Sequence, residues 1–168
     1  SRVRESLFSI IAGDLPGATF CELFAGSGSI GLEALSRGAD KCIFVEQARP
    51  AFQCLTDNVK KLRYTDRTSL VQADALRWVP PTDGNAPDII FADPPYDKAT
   101  LQAFMMHMDA VIRKADTLVI IQGPAGFLPD ASMRHLRTAV YGATALNFYL
   151  ATGDGQAGSE NQLPTASR

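Results

Sequence analysis

A chain of 168 residues with a formal charge of −2, 46% hydrophobic and 20% charged residues has the composition of one folded domain and excludes wholesale disorder. It shows no apolar run near the ~20 residues of a membrane span and no basic-then-apolar leader, so neither a membrane nor secretion is expected. Three cysteines (Cys21, Cys42, Cys54) with no CxxC pair argue against a disulfide framework or a zinc site and for a reducing cytoplasm.

The hydrophobic period switches repeatedly between helix and strand, the pattern of an α/β fold. From Arg2 to Ala12 the residues Val3, Leu7, Phe8, Ile10 and Ile11 share a helical face, which Gly13-Asp14-Leu15-Pro16-Gly17 ends. A strand over 18–23 leads through Gly26-Ser27-Gly28 into a helix over 29–37, with Gly38 as its C-cap. A strand over 41–46 and a helix over 49–62 follow. A third strand covers 68–72, and Asp74 stands before a short helix over 75–79. After a proline-bounded loop over 80–87 come a strand over 88–92, a helix over 100–113 and a strand over 117–122. Strands over 136–141 and 144–150 flank Gly142 as an antiparallel hairpin. From Thr152 the chain is rich in Gly, Ser and Gln, so residues 1–151 are expected to form the domain and 152–168 a disordered tail. Five βα units closed by a hairpin is the order of class I methyltransferases.

In open parallel sheets, ligands bind beyond the carboxyl ends of the strands. Polar residues gather there: Glu22 and the glycine loop after the first strand, Glu46 and Gln47 after the second, Asp74 and Ala75 after the third, Asp93-Pro94-Pro95-Tyr96 after the fourth. Gly26-Ser27-Gly28-Ser29-Ile30-Gly31 matches GxGxxG, with Glu46 placed to accept ribose hydroxyls. The pair alone leaves open a nicotinamide cofactor, S-adenosylmethionine (SAM) or a plain tight turn. Glu22 tilts the choice to SAM, because it can pair with an ammonium and would repel a pyrophosphate. Asp74 either meets the adenine amine or caps the following turn. Asp93-Pro94-Pro95-Tyr96 presents a carboxylate, bare carbonyls and an aromatic face, since proline removes the backbone donors. Asp93 and the Pro94 carbonyl can accept the hydrogens of an exocyclic base amine while Tyr96 stacks on the ring, aiming the nitrogen lone pair at a sulfonium methyl. Cys54 and the methionines Met105, Met106 and Met108 are expected to pack in the core, and His107 and His135 to be structural or surface residues.

Three stretches carry a family resemblance: Arg2-Val3-Arg4-Glu5-Ser6-Leu7-Phe8, Glu22-Leu23-Phe24-Ala25-Gly26-Ser27-Gly28 with Gly31-Leu32-Glu33-Ala34-Leu35-Ser36-Arg37-Gly38-Ala39, and Ala92-Asp93-Pro94-Pro95-Tyr96. Together they resemble the bacterial 16S rRNA guanine-N2 methyltransferases. The resemblance implies a class I SAM-dependent fold with sheet order 3-2-1-4-5-7-6. It also implies cofactor contacts at Glu22, Phe24, Gly26, Ser27, Gly28, Glu46, Asp74 and Asp93. Two departures stand out: the family's basic β-hairpin before the RVRE stretch does not precede Ser1, and Gln122 stands where an acid is expected. The expected activity is SAM-dependent methylation of a guanine N2 amine in 16S rRNA, in a 30S particle or assembly intermediate, with Arg2 and Arg4 touching RNA. A basic upstream segment is expected to supply the remaining grip. Methylation of DNA or of a protein glutamine, or a SAM-binding module without catalysis, are the alternatives. A nicotinamide oxidoreductase ranks last, because no residue supplies a hydride-transfer acid or base.

Overall fold

The structure is a computed structural model and describes residues 1–95 and 97–153. Tyr96 and the greater part of the expected tail, 154–168, lie outside the described residues. Among the described residues four α-helices, α1 (Arg2–Ile11), α2 (Ser29–Ser36), α3 (Arg49–Lys61) and α4 (Lys98–Val111), flank a sheet of seven strands. The strands are β1 (Thr19–Leu23), β2 (Lys41–Val45), β3 (Thr68–Val71), β4 (Ile89–Ala92), β5 (Leu118–Pro124), β6 (Arg134–Tyr141) and β7 (Thr144–Leu150). Their spatial order is β3-β2-β1-β4-β5-β7-β6, with β1 to β5 parallel and β7 antiparallel to both neighbours. This is the class I methyltransferase order that the resemblance implies.

Alternation along the strands builds two apolar layers. Phe20, Phe44, Phe91, Ile120 and Phe148 face one way, onto Leu7, Phe8 and Ile11 of α1, Leu32 and Leu35 of α2, and Leu55 and Val59 of α3. Leu23, Val45, Ile90, Val119, Ile121 and Tyr149 face the other way, onto Leu101, Phe104, Met105 and Met108 of α4. The chain winds outward from β1 through β2 to β3, then returns to place β4 on the other side of β1. The switch point between β1 and β4 opens a crevice at their carboxyl ends. Leu23 and Ala92 are register partners there, so Phe24 and Asp93 leave the sheet side by side.

Several expectations are corrected. Only three of the five expected βα units carry an α-helix. After β3, residues 75–77 form a turn rather than a helix, and the prolines at 80, 81 and 87 prevent a crossover helix. β5 runs to Pro124 and is followed by a loop, not a helix. α4 begins at Lys98, earlier than expected, because the Asp97 side chain caps it by accepting the Ala99 amide hydrogen at 3.2 Å. Cys54 and Met106 are exposed rather than packed. His107 is satisfied by the Trp78 carbonyl at 2.7 Å, and His135 by the Thr138 hydroxyl at 2.9 Å. No helix among the described residues is long and apolar enough to cross a membrane.

Candidate active site

The glycine loop leaves β1 through Phe24, whose φ of 55° puts a bulky residue in the left-handed region. An edge-on contact with Phe104, ring centroids 5.5 Å apart, holds it there. The next turns require glycine for separate reasons. Gly28 has φ 84°, and a Cβ there would strike the Leu55 side chain. At Gly31 a Cβ would collide with the Phe44 ring and sit 2.6 Å from Cys42 Sγ, so a bare backbone is what lets α2 lie flat on β2. Above Gly26 the space is open, leaving the loop backbone accessible. Asn58 of α3 donates to the Ser27 carbonyl at 3.0 Å and steadies the loop from outside.

Two carboxylates tie this loop to the sheet. Glu22, only 4% exposed, accepts the Gly31 amide hydrogen at 2.8 Å through Oε1 and so caps α2 from β1. Burial pushes its carboxyl up to about 8, against the opposing pull of the Gly31 and Ile30 amides and the Arg4 charge. Glu46 bridges two loops: Oε1 accepts the Gly26 amide hydrogen at 2.7 Å and Oε2 that of Ala48 at 2.8 Å. A carboxylate has about four lone-pair sites, so this bracing leaves Glu46 able to accept further hydrogens.

Two cavities open on either side of Phe24. The larger, about 530 Å³, is bounded by Glu22, Gly26, Ser27 and Asp93, with Arg4 on the α1 side and Gln122 on the β5 side. The smaller, about 330 Å³, lies against Glu46, Gln47, Ala73, Ala75 and Pro95. Asp93 remains exposed at the end of β4, yet the cleft walls remove enough water to push its carboxyl up to about 6. Pro94 is buried behind it and Pro95 is exposed.

The structure therefore gathers Glu22, Phe24, Gly26, Ser27 and Asp93 around one cavity, and Phe24, Glu46, Gln47, Ala75 and Pro95 around the other. Gly28 is buried beneath the loop and shapes it from behind. Asp74 caps the following turn, accepting the Leu76 amide hydrogen at 2.9 Å through Oδ1. Arg2 and Arg4 part company: Arg2 is exposed on α1, whereas Arg4 is half-buried and faces the larger cavity. Sequence reasoning missed Arg4 and Gln122 as members of this cavity. The signal for Arg4 was its place between Val3 and Leu7, which line the same wall one helical turn apart.

Both cavities suit SAM. A nucleoside fits the pocket where Glu46 offers acceptors at a strand end. A short zwitterionic chain fits the one that holds Glu22 and Arg4. The backbone above Gly26 is open between them. Among the described residues no group of His, Cys, Asp and Glu is gathered as a metal site.

Comparison with known proteins agrees with this architecture. An Escherichia coli structure named yhhF superposes with a TM-score of 0.77 over 91% of this chain and 86% of that one, at 27% identity. Among curated proteins, the Bacillus subtilis "Putative rRNA methyltransferase YlbH" is 37% identical over 110 residues, 64% of this chain and 60% of the relative. Ribosomal RNA small subunit methyltransferase D of E. coli strain K12 is 36% identical over 101 residues, 60% of this chain and 50% of the relative. The matched regions thus cover between half and three-fifths of these relatives' own lengths. The model of the family described as "Conserved hypothetical protein 95" matches residues 1–150, which takes in every element from α1 to β7, and the chain belongs to that family.

Proposed function

We propose that this chain transfers a methyl group from SAM to the exocyclic N2 amine of a guanine in 16S rRNA, in a 30S particle or assembly intermediate of the bacterial cytoplasm. One observation carries the reading. Asp93 stands at the switch point on the wall of the cavity that holds Glu22 and the open glycine loop, so a carboxylate able to accept from an amine borders the site suited to SAM. The relatives named as rRNA methyltransferases support RNA as the substrate.

When bound, SAM supplies an electrophilic methyl on a sulfonium. Glu46 accepts the ribose hydroxyls, and Gln47 and Ala75 flank the adenine with Asp74 beside them. Glu22 faces the ammonium of the amino-acid end, and the open backbone at Gly26 and Ser27 admits the chain between. Asp93 and the Pro94 carbonyl accept the two amine hydrogens, which draws the nitrogen lone pair out of the purine ring and toward the methyl. Pro95 stiffens this loop. Tyr96, assigned from sequence alone, stacks on the base. The nitrogen–carbon bond forms as the carbon–sulfur bond breaks, and the surplus proton leaves the nitrogen toward the Asp93 carboxylate.

The test offers methyl-tritiated SAM with four acceptors: free 16S rRNA, immature 30S particles, duplex DNA and bulk protein. Label in 16S rRNA or the particles is expected. Label confined to DNA or protein, or none anywhere, overturns the reading.

A further inference from the structure

We infer that Arg4 is a cofactor-binding residue, seating the carboxylate of the amino-acid end of SAM opposite the ammonium held by Glu22. The inference rests on the SAM reading above and assigns α1 to the cofactor site instead of to RNA.

The geometry begins with the packing of α1. Leu7, Phe8 and Ile11 are buried against the sheet, so Arg4, three and four residues before Leu7 and Phe8, lies along the same face. Its half-buried side chain therefore fronts the 530 Å³ cavity with Glu22, Gly26 and Asp93. Three other arginines are engaged with protein groups. Arg37 pairs with Glu33 at 2.7 Å, Arg67 donates to the Asp40 carbonyl at 3.1 Å, and Arg137 lies over the Phe148 ring. The Arg4 guanidinium makes no ion pair or hydrogen bond among the described residues, although its charge is felt at Glu22. A planar donor fork lining a cavity and without a partner is suited to a carboxylate, which it can grip with two parallel hydrogen bonds.

A second observation says why the anion needs Arg4. The first amides of a helix are the usual seat for an anionic group. In α2 that seat is partly taken, because Glu22 accepts the Gly31 amide hydrogen at 2.8 Å. A ligand carboxylate entering this cavity meets the acids Glu22 and Asp93, and Arg4 is the cationic side chain on its wall. The zwitterionic end of SAM matches this pairing of opposite charges. An RNA phosphate, carried on a polynucleotide, is better met by the exposed Arg2.

The experiment measures binding of three ligands by calorimetry to the wild type and to Arg4→Met, which keeps the side-chain stem. S-adenosylhomocysteine carries both charges, its decarboxylated analogue keeps only the ammonium, and methylthioadenosine lacks the amino-acid end. Arg4→Met is expected to lose about ten- to a hundredfold in affinity for S-adenosylhomocysteine. It should bind the decarboxylated analogue like the wild type and methylthioadenosine within about twofold, which also shows that the variant is folded. An equal loss for all three ligands, or no loss for any, overturns the role of Arg4. A wild type that binds none of them overturns the SAM reading itself, and the inference with it.

Discussion

Glu22→Gln separates what burial does to this carboxyl from what the cofactor does. Glu22 is 4% exposed, and burial pushes its carboxyl from the ordinary 4.5 up to about 8. A folded-state pKa above the unfolded one means that the folded chain holds a proton the unfolded chain has released. Stability contributed by Glu22 is therefore whole below about pH 4.5 and falls as pH rises, levelling once pH passes about 8. The shift corresponds to roughly 3–5 kcal/mol across that window. Glutamine keeps the acceptor for the Gly31 amide and cannot ionise, so the variant should lack this loss. The assay is urea unfolding from pH 5 to pH 9, read as wild type minus variant so that groups common to both cancel. The variant should gain on the wild type by several kcal/mol between the two ends. Parallel stability curves across the range would refute the reasoning. The same proton should appear on binding: a carboxyl near 8 that must ionise opposite an ammonium releases about 0.9 proton at pH 7. Calorimetry in buffers of different ionisation enthalpy reads that release, which Glu22→Gln should abolish.

Asp93→Ala should lower methyl transfer by about 10²–10³, with S-adenosylhomocysteine affinity held within about tenfold. In the wild type the rate should fall as pH drops through about 6, where Asp93 gains a proton and stops accepting from the amine; a flat profile from pH 5 to 8 contradicts the role. Glu46→Ala removes both the brace on Gly26 and the ribose acceptor, so calorimetry should show more than about tenfold weaker binding of S-adenosylhomocysteine. Gly31→Ala drives a methyl into the Phe44 ring and Cys42, and should cost about 1–3 kcal/mol in urea unfolding; an unchanged midpoint means α2 is not seated as described.

Much of this site was legible in the chain because strand ends announce themselves. An apolar run that stops at an acid, as at Glu46 or Asp93, marks both the end of a buried strand and the start of a polar crevice. The sheet order came from the resemblance, since periodicity does not say which strand neighbours which. What stayed hidden depends on neighbours distant in sequence. The helical period groups Arg4 with Val3 and Leu7, but only the sheet beneath α1 decides that this edge fronts the cleft. The turn after β3 read as a helix because Ala75, Leu76 and Trp78 have helical spacing. It is too short to outweigh the prolines that follow, and Asp74 caps a turn instead. A strand-end acid such as Glu46 suggests a ribose acceptor, and nothing local to it shows that it also braces Gly26, which lies 20 residues earlier in the chain. Residue type alone points Cys54 and Met106 to the core, yet each lies on the solvent side of its helix.

The central claim is the identity of the methylated atom, and one measurement reaches it directly. 16S rRNA or immature 30S particles are incubated with the protein and isotopically labelled SAM, digested to nucleosides and resolved by mass spectrometry. The label should be recovered as N2-methylguanosine and disappear with Asp93→Ala. Label recovered in adenosine, cytidine or a ribose methyl, or N2-methylguanosine undiminished in that variant, would contradict the account.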